Sequence, residues 1–189
     1  MIQHTNKTIP DEIKEKVEKA LSYFPSLKDI DITFQFKKNI KKTTMQAQPD
    51  FLSLLSSRKN RKYNINISEY FKDTAKTKTQ DLPEDIFVGW IGHELGHILD
   101  YEEMSNWEMV VFGIKYVLFD NFIIEAEKTA DQYAVNQGIG NYILAMKNFI
   151  LHHKNLPSYY KKRIQKLYMS PKEVIKLMNE INEKSLVYN

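Results

Sequence analysis

The chain has 189 residues, 42% of them apolar and 27% charged, an ordinary balance for one globular domain and one that excludes extended disorder. The formal charge is only +3, with the basic residues scattered in short groups, so nucleic acid is not an expected partner. There are no cysteines, which removes disulfides, thiol catalysis and cysteine-ligated metal together. The opening MIQHTNKTIPDEIK lacks the apolar run of a secretory signal, and a cytoplasmic protein is expected.

In chain order, residues 10–24 read as an amphipathic helix, and residues 30–36 alternate apolar and polar like a half-buried strand. Lys37-Lys38 and Lys41-Lys42 flank what looks like a hairpin tip, with residues 43–48 returning beside the first strand. The basic group 58–62 reads as a solvated loop, and residues 63–67 alternate again as a strand. From 83 to 187 the pattern is almost wholly helical, broken at Gly138-Ile139-Gly140, Pro157 and Pro171. The expected fold class is α+β, a small antiparallel or mixed sheet packed on a mainly helical part. One domain over 1–189 would carry helix and sheet in 1–80 and the chemistry in 83–189.

Chemistry is concentrated at two places. Pro83, Glu84 and Asp85 make a helix start, and Phe87, Ile91, Leu95 and Ile98 follow as an apolar stripe at helical spacing. Within it stand His93, Glu94 and His97. Residues four apart share a helix face, so both imidazoles can address one point, as a zinc ion requires. Glu94 is beside that point and could take a proton from water there. Gly89, Gly92 and Gly96 cost about 1 kcal/mol each in a helix interior, which predicts close approach of another segment.

The second place is the helical stretch 122–138, FIIEAEKTADQYAVNQG, ended by glycine. Glu127 is the natural third ligand, and Asp131, one turn on, is placed to hold a ligand histidine through its other ring nitrogen. Glu125 lies about 200° around the helix from Glu127 and is expected to face solvent.

These residues resemble the gluzincin zinc peptidases, and more narrowly the prenyl-protein and heat-shock membrane peptidases with their small soluble relatives, the minigluzincins. The matching residues are His93, Glu94, His97, Glu127, Ala130, Asp131, Ala134 and Gly138. The resemblance implies a zincin-like fold, Zn2+ bound by His93, His97 and Glu127, Glu94 as general base, and Asp131 holding a zinc histidine. A peptide or protein would be the substrate, its backbone pairing with an edge strand drawn from 43–48 or 63–67.

Family members also carry a His-Pro step before an arginine-led helix. Here the step is Leu156-Pro157, with Arg163 in the arginine's place. The oxyanion donor would then be Arg163 or one of His152, His153, Tyr159 and Tyr160. Residues 107–124 are mostly apolar but contain Glu108, Lys115 and Asp120. That favours a buried or interfacial hairpin, with weak membrane-surface contact, over a spanning helix. Alternative readings are a zinc-binding module that does not cleave, a repressor-cleaving regulatory metalloprotease, and a latent form blocked by residues 180–189.

Overall fold

A two-residue strand, β1 (Lys7–Thr8), leads through a turn of 3-10 helix into α1 (Lys14–Leu21). The computed structural model describes residues 6–38 and 40–187. The helix expected over 10–24 is shorter because Pro25 disfavours helical backbone in the residue before it, and Phe24 sits at φ −119°, ψ 62°.

Next come β2 (Asp31–Lys37), β3 (Met45–Pro49) and β4 (Lys62–Ser68). The sheet order is β1-β2-β4-β3, parallel except for the antiparallel β3–β4 pair. The expected hairpin of β2 with residues 43–48 is therefore not formed, since β4 lies between them. The strand compositions explain the order. β4 presents Tyr63, Ile65 and Ile67 to the core and suits the interior of the sheet. β3 is short and ends in Pro49, which has no N–H to give and belongs on an edge.

The longest helix, α2 (Glu84–Glu103), packs against α1, β3 and two later helices, α4 (Asp120–Ala134) and α5 (Gly140–His152). It is enclosed on all sides rather than along one stripe: every residue from Ile86 to Ile98 is buried. Each large apolar side chain enclosed in this way contributes roughly 1.5–3 kcal/mol. The glycines make the enclosure possible. A Cβ on Gly89 would lie 2.3 Å from the Tyr142 carbonyl oxygen of α5, and one on Gly96 2.2 Å from that of Ala130 in α4.

Between α2 and α4 lies α3 (Asn106–Leu118), opened by a capping box in which Ser105 and Glu108 each accept the other's backbone N–H. Its seat is fixed by Arg61. That guanidinium donates to the Asn106 side chain at 2.7 Å and to the carbonyls of Tyr101 and Met104 at 2.9 and 2.7 Å. Arg61 is thus buried, against the expectation of a solvated basic loop, because it satisfies carbonyls at the C-terminal end of α2.

The segment 107–124 does turn back at Phe119, but it is not buried. Trp107, Ile114 and Leu118 of α3 and Phe119 just beyond it are exposed, as is Val117, while Met109 faces inward. No described helix is long and apolar enough to cross a membrane. A π-type turn at Val135–Ile139, with Gly138 at φ +87°, leads into α5, and α6 (Ser158–Leu167) and α7 (Pro171–Val187) complete the chain. The result is the expected α+β class, a small mixed sheet beside a mainly helical part.

Candidate metal centre

The buried middle of α2 meets α4 at the Gly96–Ala130 contact, and that contact brings His93 and His97 to Glu127. Glu127 Oε2 lies 3.0 Å from His93 Nε2 and 3.3 Å from His97 Nε2. The three groups are buried and offer ligand atoms all within 4.8 Å of one another, so they could hold a metal ion. Glu125, two residues before Glu127, is exposed, as the helical angle predicts.

Asp131 stands one helical turn beyond Glu127 and binds His93 Nδ1 through Oδ1 at 2.9 Å. This bond directs Nε2 of His93 toward Glu127 and the metal position. The other oxygen of Asp131 accepts from Lys147 Nζ at 2.6 Å and from the Met169 backbone N–H at 2.9 Å. Asp131 and Lys147 are both almost fully buried, at 0% and 1% exposure, so the carboxylate and the ammonium neutralise each other inside the core. Burial alone would push the Asp131 carboxyl up, but Lys147 and His93 override it and hold it below the ordinary range.

The histidine and the acids share one charge balance. Burial would lower His93, but its hydrogen bonds to Asp131 and Glu127 push it up to about 10. Glu127 is likewise held well below the usual carboxylate range, burial being outweighed by His97 and His93. A metal taking Nε2 of His93 would take the place of any proton shared there with Glu127. Two imidazole nitrogens and a carboxylate oxygen, with one tautomer fixed from behind, fit a divalent metal of the borderline class.

A cleft of about 350 Å³ opens over this centre. Glu94, His97 and Glu127 line it from below, Met45 to Pro49 of β3 form one wall, and Met109, Phe112, Tyr116 and Val117 of α3 form another. Glu94 is buried and accepts the Ala47 backbone N–H on Oε2 at 2.6 Å. Burial also raises its carboxyl, opposed in part by the charges of His93 and His97. The strand that borders the cleft is β3, the sheet edge, and not the interior strand at 63–67.

The candidate oxyanion donors separate cleanly. Arg163, from α6, lines the cleft, as does Tyr168. His153 instead packs edge-on against Phe71 and Phe149, and His152 binds the Asn148 carbonyl. Tyr159 is 68% exposed, and the buried Tyr160 hydroxyl pairs with Thr44 at 2.8 Å. None of these four lines the cleft. No described side chain of α7 lines it either, so the tail-blocked arrangement is not formed by residues 180–186; the Val187 side chain, Tyr188 and Asn189 lie outside what the structure describes.

Three contributors were not read from the sequence. Lys147 could have been found, because it interrupts the buried run Ile143, Met146 and Ile150 with a charge. Tyr116, whose hydroxyl donates to Glu127 Oε1 at 2.5 Å, is hidden within an apolar stretch. Tyr168, with its ring 5.0 Å from that of His93, carries no local signal.

No protein-family model, curated protein or solved structure matches this chain.

Proposed function

We propose that this chain is a zinc-dependent endopeptidase with a site of the gluzincin kind. The observation that supports it most is the placing of a buried acid, Glu94, beside three convergent ligand atoms, on the floor of a cleft bordered by an edge strand of the sheet. Two histidines and one carboxylate form a catalytic zinc set, because they leave coordination positions open. Zinc held there would supply Lewis acidity, lowering the pKa of water toward neutrality and polarising a carbonyl.

The chain's own groups divide the remaining work. His93, His97 and Glu127 bind the metal, and Asp131 keeps His93 in the tautomer that leaves Nε2 free. The Ala47 N–H holds Oε2 of Glu94, leaving Oε1 to accept a proton from the attacking water and return it to the leaving amine. The outer edge of β3, with its Ala47 N–H held by Glu94, would use its remaining backbone groups to align an extended peptide by strand addition. Arg163 brings a permanent cation to the cleft, where charge develops on the carbonyl oxygen. The apolar wall of Met109 and Phe112, with Val117 at its exposed rim, suits an apolar substrate side chain.

The test is casein hydrolysis by zinc-loaded wild type and Glu94→Gln. Wild type should cleave, and the variant should retain zinc while losing turnover on the order of 10²–10⁴-fold. Full turnover by Glu94→Gln would end the general-base assignment. Zinc binding by a wild type that cleaves nothing would make the chain a non-catalytic metal-binding module.

A further inference from the structure

The two oxygens of Glu127 serve different partners. Oε2 faces both imidazoles, whereas Oε1 accepts the hydrogen bond from the Tyr116 hydroxyl. Tyr116 does not belong to either helix that carries the ligand atoms. It comes from α3, across the cleft, where its ring stacks with Phe112 at 6.0 Å between centroids. The seat of α3 is itself built, through Arg61 and through the Asn106 amide, which donates to the carbonyls of Leu54 and Ser56 at 2.9 and 2.8 Å.

We propose that Tyr116 is a positioning residue that keeps Glu127 a one-oxygen ligand, so that the seat of α3 governs how the third ligand meets the metal. The inference rests on the zinc reading of the site and extends it to a helix that contributes no ligand.

A carboxylate can offer a divalent ion one oxygen or two. Binding through both would fill a position that water or substrate needs. A donor placed on Oε1 opposes that outcome, and at a buried charged acceptor such a bond is strong. The phenol hydroxyl has one proton to give, and in this geometry it is given to Oε1. Without the hydroxyl, Oε1 would have neither this partner nor a reason to stay away from the metal.

Tyr116→Phe removes the donor and keeps the ring. Zinc affinity is measured by chelator competition, and coordination by the visible spectrum of the cobalt-substituted protein. Affinity should fall roughly 10–100-fold, and the cobalt bands should weaken toward those of a higher coordination number. X-ray absorption of zinc-loaded wild type, which does not depend on any variant folding, should find one carboxylate oxygen bound. Wild-type affinity with an unchanged cobalt spectrum in Tyr116→Phe would overturn the proposal, as would two bound carboxylate oxygens in wild type, with the zinc reading intact. A wild type that takes up no zinc would overturn that reading first and this one with it.

Discussion

Gly96 of α2 and Ala130 of α4 meet backbone to backbone, so closely that a Cβ on Gly96 would lie 2.2 Å from the Ala130 carbonyl oxygen. The contact falls one residue before His97 on α2 and one residue before Asp131 on α4, three beyond Glu127, so it sets the spacing of the candidate metal centre. Gly96→Ala must push two backbones apart and is expected to cost about 1–3 kcal/mol or more. Gly113, in α3, is a matched control, because a Cβ there meets nothing within 4 Å. Gly113→Ala should stabilise by roughly 0.5–1 kcal/mol. Urea unfolding of the two variants would check the opposite signs.

Lys147 is the only counter-cation drawn to the far oxygen of Asp131 among the described residues. Lys147→Met leaves that carboxylate buried with two of its three partners, His93 and the Met169 N–H, and the expected destabilisation is on the order of 3–5 kcal/mol. Adding Asp131→Asn removes the uncompensated charge and should restore much of the loss. Thermal unfolding of both single variants and the double variant would show it. Additive losses would mean that the pair is not the reason Lys147 is buried.

At the start of α7, Glu173 accepts the Ser170 N–H at 2.6 Å and the Lys128 ammonium at 2.7 Å. Lys128 first, and then Ser170, lower its carboxyl to about 2 from an ordinary 4.5. A depressed folded pKa gives stability that is complete above the ordinary value and lost as pH falls through the folded one. Wild type should therefore be more stable than Glu173→Gln at neutral pH, and the two should converge as pH drops from 4.5 toward about 2. Chemical denaturation across that range would reveal parallel curves if the pair contributes nothing.

Helical periodicity made much of the site legible. The four-residue spacings of His93 with His97 and Glu127 with Asp131 each put two polar groups on one face, and the three glycines of α2 announced the crossings that enclose it. Strand order was less legible, because alternation gives a strand's faces but not its neighbours. The informative residue was Pro49, whose missing N–H marks β3 as an edge. Arg61 was lost within a basic run, since its burial depends on carbonyls some forty residues away. His153 and Tyr159 had suitable chemistry, but nothing local shows that one faces Phe149 and the other solvent.

The most direct test of the account is the zinc content of the purified protein, determined by elemental analysis on wild type and Glu127→Ala side by side. Wild type should carry stoichiometric zinc, and Glu127→Ala, folded by circular dichroism, should lose most of it. A wild type that binds no zinc after reconstitution, or a Glu127→Ala protein that binds it as fully, would contradict the centre described here.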